Sequence, residues 1–358
     1  MRAIKAYLKK EFIDLVRTKM IFLVYIFPAL VLLLFGGGIK LNVNHIRTVI
    51  VDYDNSKISK EISQKYVASK YFDVKFLNNE NKAFKLLKNG KKDLLIIFPQ
   101  NFSKNLIKDK AEVGIFVDGA FPFRGLMIEN YAKGVFLSLI PNKIKLDYRF
   151  LYNPSLRDEN SIVPGVIGLA LLIAPAILAA LLIVKEKERG TIFNFYSSKV
   201  SKTSFIIAKL LPPFLLHFVN VFILFLIAVY VFDVPFRGSF LLYVIASIFY
   251  LAISVGIGLL VSIITSTQIA ALILTILITL IPGFLYSGII MPISSMSGEA
   301  YIEAHLFPVM YYNHLIYDAF LGGEGFNSLL NLKYLFILFL YAIFLILIGS
   351  LLLRKGER

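Results

Sequence analysis

A short charged stretch at residues 185–191 decides how the chain is folded. It reads Lys185-Glu186-Lys187-Glu188-Arg189-Gly190-Thr191 and directly follows an apolar run from Ile162 to Val184. A second long apolar run begins near Phe205. Charges this dense cannot lie in hydrocarbon, so the stretch is predicted to be a loop at a membrane surface. Its basic residues place that loop on the cytoplasmic side.

The composition indicates a membrane protein. The 358 residues are 58% hydrophobic and 17% charged, whereas a soluble domain is about half apolar and about a quarter charged. The mean hydropathy is +0.74, so we predict an α-helical polytopic membrane protein. The net charge of +15 fits the positive-inside bias of such proteins, and no nucleic-acid partner is expected. Because there is no cysteine, a disulfide framework, a thiolate metal site and a cysteine nucleophile are excluded.

The first 39 residues form two predicted elements. Residues 1–19 are basic and carry their apolar side chains on one helical face, which indicates a helix lying in the membrane interface. Residues 20–39 are apolar and long enough to cross a hydrocarbon core about 30 Å thick. The basic residues before this span place the N-terminus in the cytoplasm. No cleavable signal peptide is expected.

Residues 40–160 differ in character and are predicted to form an inserted α/β domain. Short apolar runs predict strands at 48–51, 72–77, 94–98 and 113–117, with helical patterns between them. The stretch is large enough to bury its own core. Because it follows the first span, it is predicted to be extracytoplasmic. Its many lysines do not oppose this location, since long domains translocate largely regardless of charge.

Residues 161–358 are predicted to form a five-helix transmembrane region. The spans are 162–184, 205–231, 240–264, 269–290 and 332–353. Residues 185–204 form the cytoplasmic loop after the second span of the chain, and residues 291–331 form an outer re-entrant or interfacial segment. Together with residues 20–39 this makes six transmembrane helices, with both termini in the cytoplasm.

Polar and small residues within the spans allow specific interpretations. His217 and Asn220 lie in the third span, where buried polar groups either bond neighbouring helices or line a substrate path. In the fourth span Ser254, Gly258 and Ser262 recur every four residues, which predicts close packing against another helix.

No motif for enzymatic chemistry is complete. Gly90-Lys91 is followed by Lys92 instead of Ser or Thr, so a phosphate-binding loop is absent and nucleotide hydrolysis by that route is excluded. Four ionisable residues near the predicted outer face are the best candidates for a metal site: Glu303, His305, His314 and Asp318. Their spacing matches no zinc signature. We interpret them as polar residues that cap and anchor helices.

Three groups of motifs follow one another along nearly the whole chain. They are 186–192, 200–201 and 209–212 in the inner loop, 286–292 and 306–312 near the outer face, and 51–56, 98–103 and 117–119 in the α/β insert. Their order resembles that of ABC-2 type transporter permeases, in the subgroup with a large extracytoplasmic domain between the first two transmembrane helices. Two positions depart from the family pattern. Lys199 stands where proline is frequent, and Phe193 where an acidic residue is frequent.

The resemblance implies that the chain is the permease subunit of an ATP-binding-cassette exporter and not an enzyme. No cofactor is expected in this chain, because ATP and Mg would bind a separate cytoplasmic ATPase subunit. Residues 185–204 would dock into that subunit. The implied ATPase-coupling residues are Glu186, Lys187, Glu188, Arg189, Gly190 and Thr191.

The resemblance also implies an assembly and a location. Two permease subunits, identical or related in sequence, would form the pore in the inner membrane of a prokaryote. Ser287 and Gly288, in the outer turn, join His217 and Asn220 as candidate substrate-path residues.

Two alternatives from other classes stay open at this point. A membrane-anchored receptor or assembly factor would act through the extracytoplasmic domain without transport. An intramembrane enzyme would use the outer histidine and carboxylate cluster.

Overall fold

The computed structural model describes residues 2–17, 20–38, 45–89, 91–108, 110–118, 122–137, 157–198, 200–289, 293 and 296–353. The chain divides into two compact units, one of Met1–Ile39 with Arg149–Arg358 and one of Lys40–Tyr148. The strands are β1 Ile46–Asp52, β2 Phe72–Phe76, β3 Leu94–Phe98 and β4 Gly114–Val117. The helices are α1 Arg2–Arg17, α2 Met20–Gly38, α3 Lys57–Ala68, α4 Glu80–Lys88, α5 Phe102–Ile107, α6 Pro122–Leu137, α7 Asp158–Glu188, α8 Ile192–Ser197, α9 Lys202–Tyr230, α10 Phe240–Ile264, α11 Gln268–Leu285, α12 Glu299–Leu306, α13 Pro308–Tyr317 and α14 Leu329–Leu352.

The unit Lys40–Tyr148 contains a four-stranded sheet in the order β2-β1-β3-β4. β1 pairs in parallel with β2 and β3, whereas β3 pairs with β4 in antiparallel fashion. The central strand β3 is buried along its whole length, as expected of a strand covered on both faces. The four strands lie where the apolar runs predicted them.

Two apolar clusters cover the sheet. One contains Ile50, Tyr66 and Phe98 with side chains of α6, and the other contains Val49 and Leu95 with side chains of α4. Neighbouring residues of β1 thus point to opposite faces, as the period of a strand requires. The buried hydroxyl of Tyr66 donates to the carbonyl of Ala132 at 2.7 Å, which ties α3 to α6.

The larger unit is built from long apolar helices. Among the described residues, α7, α9, α10, α11 and α14 are long and apolar enough to cross a membrane, and Val24–Gly38 is a shorter apolar stretch. The chain is therefore a polytopic helical protein, while the sixth crossing remains a prediction. α7 is the most buried of the five and packs against α2, α9, α10, α11 and α13.

The boundaries of several predicted segments differ from the structure. α7 continues to Glu188, so the first half of the charged stretch is helical, and the prediction of a loop is wrong there. α11 ends at Leu285, earlier than predicted, and Gly288 follows with a φ of +78°. α9 passes through Pro212 without interruption. Apolar helices tolerate prolines where neighbouring groups satisfy the freed backbone.

The segment predicted as an outer re-entrant or interfacial element contains two helices in its described part. α12 is mostly exposed, whereas α13 is buried and packs against α7, α10 and α14. A π-helix, Asp318–Gly322, follows α13. Asp318 accepts hydrogen bonds from the backbone of Gly325 and from the side chain of Asn331, both at 2.8 Å.

The small-residue face of α10 packs closely on α7, as predicted. Ser254 donates to the carbonyl of Leu172 at 2.6 Å. A Cβ atom on Gly258 would lie 2.4 Å from the carbonyl oxygen of Ala176 and 2.8 Å from the Cβ of Ala179. Glycine is therefore required at this helix crossing.

Gly258→Ala is expected to destabilise the protein by about 1–3 kcal/mol, because the added methyl group forces two packed backbones apart. The measurement is the midpoint of thermal unfolding in detergent. Gly134→Ala is the matched control, because Gly134 is also helical and nothing lies within 4 Å of an added Cβ. Equal stability of the two variants would contradict the close packing.

Candidate functional site

The charged stretch forms the corner between α7 and α8. The helix α7 ends at Glu188, and Arg189 caps it with a backbone hydrogen bond to Lys185. Gly190 then adopts a φ of +71°, a conformation that side-chain-bearing residues rarely adopt. The short helix α8 begins two residues later, at Ile192. Ser201, whose side chain accepts from the backbone of Ser204, begins α9.

Glu186 lies in a buried cluster of four charges that joins three helices. Its Oε1 atom accepts from Lys209 Nζ of α9 at 2.8 Å and from Lys10 Nζ of α1 at 2.6 Å. Lys209 Nζ also donates to Glu11 Oε1 at 2.7 Å and to the carbonyl of Leu182 at 3.2 Å. The two cations thus face two carboxylates, and we call these four residues the ion cluster.

Three of the four residues of the ion cluster are buried. Lys209 is 1% exposed, Glu11 2% and Glu186 9%. A buried charge is costly unless it is paired and hydrogen-bonded, and each of these three is. Burial lowers the pKa of the outermost member, Lys10, but the hydrogen bond to Glu186 and the charges of Glu186, Glu11 and Asp14 outweigh this effect, so its pKa is raised. The contacts of the cluster therefore stabilise the charged form of Lys10.

Lys187 ties the stretch to α10. Its Nζ atom donates to the carbonyls of Ser262, Ile263 and Thr265, the last two at 3.1 and 3.2 Å. These carbonyls lie at the C-terminal end of α10, where unpaired oxygens and the helix dipole attract a cation.

Glu188 ties the stretch to α11. Its Oε2 atom accepts from the side chain of Gln268 at 2.5 Å and from the backbone of Gln268 at 3.3 Å. Gln268 is the first residue of α11, and a carboxylate is stabilised at a helix N-terminus. Thr191 completes the corner by donating to Glu186 Oε2 at 3.0 Å.

α8 has a buried face and an exposed face. Ile192 and Phe195 are buried, and the ring of Phe195 stacks on that of Phe205 in α9 with centroids 4.1 Å apart. On the other face Phe193 is 52% exposed, next to exposed Arg189 and Asn194. An exposed aromatic ring with a polar rim is typical of a protein-binding surface. We call the exposed side chains of residues 189–197 the α8 surface.

The six predicted coupling residues therefore divide into two groups. Glu186, Lys187 and Glu188 bond the protein's own helices. Arg189 and Thr191 are exposed beside Gly190, and Glu188 is exposed as well. Sequence reasoning missed Lys10, Glu11 and Phe193. The available signals for the ion cluster were an acidic residue in the basic helix α1 and a lysine inside the apolar helix α9. Lys199 and the basic tail at 354–358 lie outside the described residues.

The predicted substrate-path residues lie at two separate places. His217 lines an apolar cavity of 500 Å³ between α2, α7, α9 and α11. Asn220 donates to the carbonyl of Val24 at 2.9 Å and thus joins α9 to α2. Ser287 and Gly288 line a different cavity of 390 Å³ together with His305 and His314.

The four outer ionisable residues do not assemble into a metal site. In the part of the chain that the structure describes, no group of three or more histidine or carboxylate side chains is placed to hold a metal ion. Glu303 accepts from the Tyr286 hydroxyl, His305 bonds the backbone of Tyr301, and Asp318 organises its own turn. The interpretation of these residues as anchors is consistent with these contacts.

The described residues thus form a bundle of long apolar helices with a charged corner between α7 and α8, and comparison with known proteins identifies the class of this membrane protein. Residues 18–351 match the model of the family described as "ABC-2 family transporter protein". The chain belongs to this family. It is the transmembrane permease subunit of an ABC transporter, which works with an ATP-binding subunit.

Curated relatives cover most of the chain. The "Probable multidrug ABC transporter permease YbhS" of Escherichia coli K12 is 26% identical over 337 residues, which are 90% of this chain and 89% of that protein. YbhR of the same organism, with the same description, is 27% identical over 301 residues, 81% of this chain and 82% of that protein. "ABC transporter G family member 20" of Dictyostelium discoideum is 22% identical over 372 residues, 98% of this chain and 50% of that protein. None of these relatives supports the receptor or assembly-factor alternative.

Proposed function

We propose that the chain is an exporter permease whose α8 surface docks into a separate cytoplasmic ATPase subunit, which binds ATP and Mg. The observation that carries this proposal is the set of side-chain bonds between the charged stretch and other helices. Three consecutive side chains, Glu186, Lys187 and Glu188, bond four other helices, namely α1, α9, α10 and α11. A push on α8 therefore acts on most of the membrane unit at once.

The mechanism follows from these contacts. Closure of the ATPase subunits on nucleotide would displace α8, whose buried face is packed on α9 through Phe195. The ion cluster and the bond of Lys187 to α10 would transmit the displacement as a rigid-body movement, since packed helices and short charged contacts resist gradual deformation. Hydrolysis and product release would then reverse it.

The assembly and topology of the exporter are part of the proposal. Two permease chains would form the pore, with both termini and the α8 surface in the cytoplasm and the unit Lys40–Tyr148 outside. The apolar exposed faces of α11 and α14 support contacts with lipid or with a second permease. His217, Ser287 and Gly288 each line a cavity and are proposed to contact substrate, whereas Asn220 holds two helices together.

The topology can be tested directly because the chain has no cysteine. Lys82→Cys and Ser197→Cys place one thiol each at exposed positions on α4 and on α8. In whole cells, a membrane-impermeant maleimide is expected to label the Lys82→Cys variant and to leave the Ser197→Cys variant unlabelled until the cells are opened. The reverse labelling would overturn the proposed orientation.

Docking is tested by co-expression with candidate ATP-binding subunits. A complex with the wild-type chain is expected, with ATPase activity that depends on the permease. Arg189→Ala is expected to lower the association several-fold, because it removes an exposed cation from the α8 surface. Lys333→Ala, which removes an exposed cation from α14, is the control. If no ATP-binding subunit associates with the wild type, residues 185–204 do not have this role.

Gly190→Ala is expected to weaken association with the ATPase subunit without lowering expression. Alanine at a φ of +71° costs about 1–2 kcal/mol, and nothing lies within 4 Å of the added Cβ, so the effect is confined to the backbone of the corner. Gly190→Asn is the matched variant, because asparagine adopts this conformation more readily. Equal association of both variants and the wild type would show that the corner does not set the direction of α8.

A further inference from the structure

Among the described residues, one polar side chain lies in the wall of the cavity between α2, α7, α9 and α11. The residues that line it are aliphatic or aromatic, apart from His217. His217 itself is 0% exposed. Its Nδ1 atom lies 2.8 Å from the carbonyl oxygen of Pro213, whereas its Nε2 atom has no hydrogen-bond partner among the described residues.

The contact with Pro213 decides which ring nitrogen carries the proton. A carbonyl oxygen can only accept, so Nδ1 must be the donor. The described side chains that line the cavity include no carboxylate, and an unpaired charge in apolar surroundings is costly, so the ring is neutral. A neutral ring protonated at Nδ1 has a lone pair at Nε2. Nε2 is therefore the one unpaired hydrogen-bonding atom among the described side chains that line the cavity.

We infer that this cavity binds an uncharged, largely apolar molecule that presents one hydrogen-bond donor, a hydroxyl or an N–H group, to His217 Nε2. This inference rests on the proposed transport function, in which the bound molecule is the substrate. A volume of 500 Å³ falls within the range of sites for small molecules, which combine apolar walls with a few placed polar groups. A charged ligand finds no partner here, and a saturated acyl chain leaves Nε2 unpaired.

The test uses the full chain in phospholipid nanodiscs with three fluorescent probes, namely 1-pyrenol, 1-methoxypyrene and pyrene. Binding to empty nanodiscs is subtracted from each titration. Pyrenol is expected to bind the wild type about tenfold more tightly than either other probe, because a buried acceptor that gains its donor is worth about 1.4 kcal/mol. Neither methoxypyrene nor pyrene has a hydrogen-bond donor, but methoxypyrene is larger than pyrenol and pyrene is smaller. Weaker binding of both probes therefore cannot be explained by size.

Two variants assign the preference to His217. His217→Phe keeps a ring but removes the acceptor, and is expected to bind the three probes with affinities within about twofold. His217→Gln keeps an acceptor oxygen and is expected to retain part of the preference for pyrenol. The inference is overturned if the wild type binds pyrenol and pyrene equally, or if the preference for pyrenol survives in His217→Phe. The wild-type comparison can overturn the inference even if a variant does not fold.

The same samples distinguish this inference from the proposed function. Association with the ATPase subunit depends on the α8 surface, and it is measured with the wild-type chain in the same nanodiscs. A wild type that couples to the ATPase but does not prefer pyrenol would refute the ligand class and leave the exporter proposal in place.

Discussion

Replacing Lys209 with methionine is expected to lower the stability of the membrane unit by about 3–5 kcal/mol, the usual effect of removing one partner from a buried ion pair. Methionine is similar in length but carries no charge. The Oε1 atoms of Glu11 and Glu186 would lose a shared cation that lies 2.7 and 2.8 Å away. Only Lys10 would remain to balance two carboxylates. The measurement is the apparent melting temperature of the purified chain in detergent.

A second substitution makes this prediction specific. In the double variant Glu11→Gln with Lys209→Met, one cation and one carboxylate remain, and Lys10 already bonds Glu186 at 2.6 Å. We expect the double variant to regain more than half of the lost stability, because most of the loss comes from the uncompensated charge. Lys333→Met, at an exposed position of α14, is the control. A Lys209→Met protein as stable as the wild type would show that the ion cluster does not hold the helices together.

The sheet unit was predictable from sequence because its signals are local. Strand β3 is an apolar run ended by a proline, and α3 shows its inward face through Ile62 and Tyr66. Its N-terminus is marked by Ser56, whose side chain accepts from the backbone of Ser59. Each of these signals lies within a few residues of the element that it predicts. The strand positions were therefore obtained without knowledge of the pairing.

The ion cluster could not be assembled from sequence because its partners are far apart along the chain. Glu186 and Lys10 are separated by 176 positions, and Lys209 and Glu11 by 198. The same contacts explain why the end of α7 was predicted incorrectly. The charges predict that the helix ends at Val184, but a charged side chain that finds its partner within the protein does not require a loop.

For the coupling residues, too, the sequence alone was not sufficient. Sequence motifs identified the stretch 186–191 but not the direction in which each side chain points. Helical geometry turns Glu186, Lys187 and Glu188 toward different neighbouring helices, and each finds a partner there. Phe193 drew attention only as a departure from the family pattern. Its exposure, which makes it a candidate contact, follows from the burial of Ile192 and Phe195 on the opposite face of α8.

Phe193→Asp is expected to abolish stable association with the ATPase subunit, and Phe193→Ala to weaken it at least about thirtyfold. Aromatic side chains at the centre of an interface contribute about 2 kcal/mol or more when truncated, and a carboxylate there would be buried without a partner. The ring is 52% exposed in the single chain, so its removal creates no cavity in the permease itself. The measurement is the dissociation constant of the purified permease and the ATP-binding subunit that associates with it.

Two controls separate docking from folding in this experiment. Phe193→Leu keeps an apolar side chain and is expected to lose less than about tenfold. Phe336→Ala removes a phenylalanine of similar exposure, 59%, from the membrane helix α14, and is expected to leave the dissociation constant unchanged. All four variants are expected to melt at the wild-type temperature, since the side chains of Phe193 and Phe336 are both more than half exposed. Wild-type affinity in Phe193→Asp would place the ATPase contact elsewhere, and the exposed ring would then require another partner at the cytoplasmic surface.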